Sequence, residues 1–244
     1  MRRRGVTRDP VQRRALVLSV LAGCLLAGEA QSPGTRDHFP YLVEIPADPV
    51  RFDSFALIIS GDGGWADLDQ QLGEILQERG MSVLGWDSLN YFWKHRKAEE
   101  VAQDLDKAIR TYSELWNLPR VVLIGFSFGA DVMPSAYNRL PPETQEKVAL
   151  ISLLSTSKDV DYEVTASGFI GMGGSDEIPI GPEMARMDQT KVQCVYGEEE
   201  ADETGCLLLD PKKAQVIRTA GGHHFDEDYA RLADRILARL TDAS

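Results

Sequence analysis

The sequence predicts an α/β fold: one mostly parallel sheet with helices on both faces. Two observations predict it. Short, continuous apolar runs recur at residues 55–60, 81–86, 121–126, 148–155, 192–197 and 214–219, the pattern of strands covered on both sides. Between them lie stretches with apolar residues at helical spacing, and this alternation along 244 residues specifies a single large domain with helices packed on a sheet.

The first thirty residues read as an address. Arg2, Arg3, Arg4, Arg8, Arg13 and Arg14 precede the apolar run 15–27, and Gly28-Glu29-Ala30 offers small residues for cleavage. A basic start, a short apolar centre and a small-residue exit make a secretory signal, too short for a comfortable membrane span. Leu21-Ala22-Gly23-Cys24 also resembles a bacterial lipobox, which would anchor the chain by lipid on Cys24. Residues 31–40 read as a disordered lead-in, and 41–244 as the folded domain.

Within that domain, 41–45 alternates and suits an edge strand, and 55–60 is a buried strand. Gly61-Asp62-Gly63-Gly64-Trp65 follows, then Leu68, Leu72, Ile75 and Leu76 at helical spacing with Gly80 as the stop. A glycine-rich loop between strand and helix exposes backbone amides. It lacks the Lys-Ser/Thr ending of a P-loop and the spacing of a dinucleotide fingerprint, so an oxyanion-binding role fits it better. An aromatic plug at Trp65 is the simpler structural reading. After strand 81–86, the aromatic stretch 87–95 serves either as a packed connection or as a substrate wall. Residues 98–116 form an amphipathic helix through Val101, Leu105, Ala108, Ile109, Tyr112 and Leu115.

Val121-Val122-Leu123-Ile124-Gly125-Phe126-Ser127-Phe128-Gly129 is the centre of the chain. An apolar strand running into Gly-x-Ser-x-Gly predicts a sharp turn that leaves the Ser127 hydroxyl exposed, with the Phe128 amide at the N-terminus of the next helix. That helix runs to about residue 138, with a possible bend at Pro134. A short helix opens at Pro141-Pro142, strand 148–155 follows, and 156–191 shows no regular pattern. Such a stretch is often functional. Strand 192–197 then leads to the acidic loop Glu198-Glu199-Glu200-Ala201-Asp202-Glu203. Strand 214–219 delivers Gly221-Gly222-His223-His224-Phe225, and helix 229–240 closes the domain.

Serine at a strand–helix elbow, acid after a later strand and histidine after the last strand is the chain order of α/β-hydrolases. Ser127 is the candidate nucleophile and His223 the base, preferred to His224 because it directly follows the glycine pair. Asp202 is the chosen acid on residue type, with Glu200 the alternative on its distance from Gly197. The amides of Phe128 and of Asp62 or Gly63 are the candidate oxyanion donors. This chemistry needs neither metal nor cofactor, and His223-His224 is a poor metal motif because adjacent residues after a strand do not share a face.

Composition bounds the partners. The formal charge is −12, and the part beyond residue 30 is more acidic still. That argues against a nucleic-acid footprint and mildly favours cationic substrates or partners. With Cys24 set aside, Cys194 and Cys206 form an even pair in an export-competent chain, and a disulfide between them is expected.

Four motifs narrow the resemblance. The stretch Ser60-Gly61-Asp62-Gly63-Gly64-Trp65-Ala66-Asp67-Leu68-Asp69, the aromatic stretch from Asp87 to Trp93, Gly125 to Asp131, and Gly222-His223-His224-Phe225-Asp226 together resemble the bacterial VirJ/AcvB virulence-protein family, in its short VirJ form. The resemblance implies a periplasmic serine hydrolase acting on aminoacylated phospholipid, notably lysyl-phosphatidylglycerol, with some members associated with type IV secretion. A periplasmic adaptor that binds rather than cleaves is the alternative. In this chain the Asp62 carboxylate is also suited to greet a cationic aminoacyl group.

Overall fold

The computed structural model describes residues 39–160 and 178–242. The signal and lipobox readings, nearly all of the lead-in, and the middle of the irregular stretch fall outside those residues. Among the described residues, no helix is long and apolar enough to cross a membrane.

The strands are β1 (Leu42–Ile45), β2 (Ser54–Ile59), β3 (Val83–Trp86), β4 (Arg120–Phe126), β5 (Val148–Leu154), β6 (Asp159–Val160), β7 (Ile178–Pro179), β8 (Val192–Gly197) and β9 (Gln215–Thr219). Seven of them form one sheet in the order β1-β3-β2-β4-β5-β8-β9, while β6 and β7 pair as a small antiparallel ribbon. Only β1 runs antiparallel in the large sheet, through Leu42 opposite Trp86 to Ile45 opposite Val83. As expected from its alternation, β1 is an edge strand and is only partly buried. The nucleophile strand β4 is central, flanked in parallel by β2 and β5.

The helices are α1 (Asp67–Glu78), the single turn α2 (Ser88–Tyr91), α3 (Ala98–Leu115), α4 (Phe128–Asn138), α5 (Pro142–Gln145), α6 (Gly181–Arg186) and α7 (Tyr229–Asp242). Because successive strand side chains point to opposite faces, β2 and β4 feed two cores. Phe55, Leu57, Ile59, Val121 and Leu123 face α3, α4 and α6. Ala56, Ile58, Val122, Ile124 and Phe126 face α1 and α7. Helix α4 continues through Pro134, so the proline does not end it.

Trp65 is a plug: a β-carbon on Gly85 of β3 would lie 2.6 Å from its indole. In the aromatic stretch after β3, Tyr91 and Phe92 are buried as a packed connection requires, while Trp93 is 65 % accessible. The irregular stretch contributes β6, β7 and α6 from its described ends. Cys194 and Cys206 are joined by a disulfide with Cα atoms 5.5 Å apart, as expected.

Candidate active site

At the end of β4 the chain turns so sharply that Ser127 sits at φ 52°, ψ −121°. A non-glycine residue holds such a conformation only where its surroundings enforce it, at a cost of about 1–3 kcal/mol. Here the Ser127 amide donates to Leu154 O at 2.8 Å, and its carbonyl accepts from Ala130 N at 2.8 Å. The flanking glycines are obligatory for a steric reason. A β-carbon at Gly129 would lie 2.1 Å from Ile59 O, and one at Gly125 would lie 2.5 Å from Gly129 O.

His223 Nε2 lies 2.8 Å from Ser127 Oγ. Its other ring nitrogen, Nδ1, lies 2.5 Å from Glu200 Oε1. The acid position is therefore occupied by Glu200, and the choice of Asp202 is corrected. Asp202 is exposed, and its backbone carbonyl accepts from Lys158 Nζ at 2.6 Å. The short 3-10 turn Glu198–Glu200 is what delivers the glutamate. Of its neighbours, the Glu198 carboxylate pairs with Arg218 at 3.1 Å, and the Glu199 amide ties the turn to the histidine loop by donating to Gly221 O at 3.1 Å. His224, the alternative base, has Nδ1 3.2 Å from Tyr229 Oη and takes no part in the line.

The electrostatics follow from these contacts. The hydrogen bond to Glu200 holds the His223 ring above its ordinary pKa against the opposing effect of burial, and the charges of Glu200, Asp131 and Asp62 add to the rise. Burial pushes the Glu200 carboxyl up, but the bond and charge of His223 outweigh it and leave the carboxyl below its ordinary value. The His223 side chain is 42 % exposed, so the site is open to a substrate.

The glycine loop lies against this elbow. A β-carbon on Gly61 would be 3.6 Å from Ser127 Cβ. The amides of Asp62 and Gly63 have no hydrogen-bond acceptor among the described residues. Phe128 opens α4, so its amide is one of those a helix leaves unpaired. Its ring packs edge-on against Phe92 at 4.8 Å. Amides without an acceptor thus occur on both segments that flank Ser127, in the glycine loop at Asp62 and Gly63 and at Phe128, the two places from which an oxyanion hole draws its donors. Among the described residues, no group of His, Cys, Asp or Glu side chains is arranged to hold a metal ion.

Two buried carboxyls escaped functional assignment in the sequence. Asp131, one turn into α4, accepts from Thr156 Oγ1 at 2.9 Å, Ser157 N at 2.7 Å and Ser157 Oγ at 2.6 Å. Burial pushes it up to about 6 despite these donors and the nearby His223 charge. Asp69 lies in the first turn of α1 behind the glycine loop. For Asp131 the available signal was a charged residue between the apolar Ala130 and Val132; Asp69, between Leu68 and Gln70 with Asp67 in the same turn, carried no comparable signal.

Sheet order, elbow and loops define a protein of the α/β-hydrolase fold. Solved structures agree with that class. MenH from S. aureus matches with a TM-score of 0.58 at 12% identity, covering 83% of this chain and 98% of that one. Est1E from Butyrivibrio proteoclasticus, a structure with ferulic acid bound, matches with a TM-score of 0.57 at 13% identity, covering 83% and 94%. The Pyrococcus furiosus esterase Pf2001 matches with a TM-score of 0.55 at 17% identity, covering 84% and 95%. The family model for the bacterial virulence protein VirJ matches residues 53–244, and the chain belongs to that family. None of the curated proteins matches its sequence.

Proposed function

We propose that this protein is an exported serine hydrolase that cleaves the aminoacyl ester of an aminoacylated phospholipid, with lysyl-phosphatidylglycerol as the leading substrate. The observation that carries the hydrolase reading is the continuous line Glu200–His223–Ser127 at a strained elbow. Ser127 Oγ attacks the ester carbonyl and His223 Nε2 takes its proton. The oxyanion is met by the amide of Phe128 and by that of Asp62 or Gly63. Collapse expels the lipid hydroxyl, which takes the proton back from His223, and leaves the aminoacyl group on Ser127. Water, deprotonated by the same ring, then attacks the acyl carbonyl, and the free amino acid leaves as Ser127 Oγ recovers that proton from His223. Glu200 holds the ring's tautomer and stabilises the imidazolium.

Three observations support the substrate. The acidic chain sets the charges of Asp62 and Asp131 near His223, suited to a cationic aminoacyl group. Four of the six exposed large apolar side chains among the described residues belong to connections that leave the carboxyl ends of sheet strands: Trp93 after β3, Ile178 on the β6–β7 ribbon after β5, and Leu207 and Leu208 in the 3-10 turn after β8. These loops are anchored on the same sheet face, through Phe92, Ile180 and Cys206. Exposed apolar side chains on these connections, with Lys94 and Lys97 close to Trp93 in the chain, suit a lipid–water interface. The disulfide fits an oxidising compartment outside the cytoplasm.

The test is release of free lysine from lysyl-phosphatidylglycerol vesicles, with Ser127→Ala beside the wild type. Release that vanishes in the variant supports the whole reading. No release, but covalent capture of a fluorophosphonate at Ser127, keeps the hydrolase and removes the lipid. Neither result leaves a binding role, such as an adaptor for secretion components.

A further inference from the structure

Asp69 is 2 % exposed, and it sits behind the loop that abuts the nucleophile. Its Oδ2 accepts a long hydrogen bond from the Gly61 amide at 3.4 Å, while its Oδ1 is buried with no hydrogen-bond partner among the described residues. The root of the same loop is fixed independently. Ser88 N donates to Ser60 Oγ at 3.0 Å, and Ser88 Oγ donates to Ser60 O at 2.7 Å. With the Ser60 end fixed and Gly61 tethered to Asp69, the next two amides, those of Asp62 and Gly63, are the free ones.

We propose that Asp69 is a positioning residue for ester cleavage: its uncharged carboxyl tethers Gly61 and thereby sets the Asp62 and Gly63 amides toward the carbonyl oxygen above Ser127. The inference rests on the hydrolase reading. An ionised carboxylate in this place would oppose the reaction, because it would lie behind the donors that must stabilise a developing negative charge. The surroundings disfavour that ionisation. Asp67 on the same helix and Asp87 from the loop after β3 act on Asp69 as like charges, and burial is the larger effect, pushing it up to about 8. From α7 it faces Tyr229, whose hydroxyl lies 3.2 Å from His224 Nδ1. Asp62 belongs to the tethered loop itself. The helix N-terminus favours the charged form, but more weakly than burial disfavours it.

The experiment measures kcat and KM for p-nitrophenyl acetate from pH 6 to 10 in wild type, Asp69→Asn and Asp69→Ala, with thermal unfolding recorded for each. Asparagine keeps an acceptor for Gly61 and cannot ionise. The expected wild-type kcat declines on the alkaline side as Asp69 ionises. Asp69→Asn keeps the neutral-pH kcat within ~3-fold and loses that decline, whereas Asp69→Ala, still folded, drops kcat by ~10–100-fold with KM little changed. An Asp69→Asn profile that retains the alkaline decline overturns the proposal, as does a folded Asp69→Ala with wild-type kcat. If Asp69→Ala does not fold, the asparagine profile decides. A wild type that neither turns over the ester nor reacts with a fluorophosphonate removes the hydrolase reading itself, a result distinct from either variant outcome.

Discussion

Glu200 Oε1 and His223 Nδ1 lie 2.5 Å apart, and the same imidazole presents Nε2 to Ser127 Oγ at 2.8 Å. The relationship selects one carboxylate from a run of acids. Glu200→Gln keeps the shape but removes the charge that fixes the tautomer, so kcat for ester hydrolysis should fall on the order of 10³–10⁴-fold. Asp202→Ala, an exposed change, should leave it within ~2-fold. Rates on a chromogenic ester check both, and a large loss in the Asp202 variant with little in the Glu200 variant would reverse the assignment.

The pH dependence carries a sign. Glu200 raises the His223 pKa above 6.5, and only the neutral ring can accept the Ser127 proton, so kcat/KM should climb with pH through that raised value. In Glu200→Gln the acid limb should shift to lower pH. Stability follows the same groups. The raised histidine contributes fully below its ordinary 6.5 and loses its contribution as pH rises through the folded value. The lowered glutamate contributes above its ordinary 4.5 and loses its contribution as pH falls through the folded value. The Glu200→Gln penalty in thermal unfolding should therefore be largest between 4.5 and 6.5. A penalty independent of pH would argue against the pair.

Asp131 ties α4 to the segment leaving β5 through its bonds from Thr156 and Ser157. Asp131→Ala strands those buried or half-buried donors, and we expect a loss of about 2–4 kcal/mol. Chemical denaturation measures it. Asp131→Asn, which can keep an acceptor, should lose less, and equal losses would count against the hydrogen bonds as the cause.

The Cys194–Cys206 bridge closes the loop that carries Glu200. Replacing both cysteines by alanine should cost about 3 kcal/mol, or ~6–12 °C in Tm, chiefly through the freer unfolded chain. Ester turnover should fall as well, because the acid's turn loses its tether to β8. Unchanged turnover with a lowered Tm would confine the bridge to stability.

Much of this architecture is written locally. The apolar run 121–126 and Gly125-Phe126-Ser127-Phe128-Gly129 are legible as a strand and an elbow without the rest of the chain, because the close approach at Gly125 is to the elbow's own Gly129 and Ala130, although that at Gly129 is to Ile59 and Ser60 at the end of β2. The loop after Ser60 and the histidine after β9 follow from chain order, since parallel strands deliver their loops to one edge. The even pair Cys194 and Cys206, in a chain whose first thirty residues read as a secretory signal, likewise pointed to their pairing. The acid was not determined this way. Glu198, Glu199, Glu200 and Asp202 are chemically close, and only the 3-10 turn and the competing partners of that loop decide which one meets His223. Nor did local pattern assign a task to Asp69, which shares its turn with Asp67, or to Asp131, a single charge between Ala130 and Val132. Their surroundings come from segments far along the chain: Asp87 and Tyr229 around Asp69, Thr156 and Ser157 around Asp131. Local sterics and periodicity are properties of neighbouring residues, whereas burial and charge pairing belong to contacts that exist only once the sheet has closed its layers.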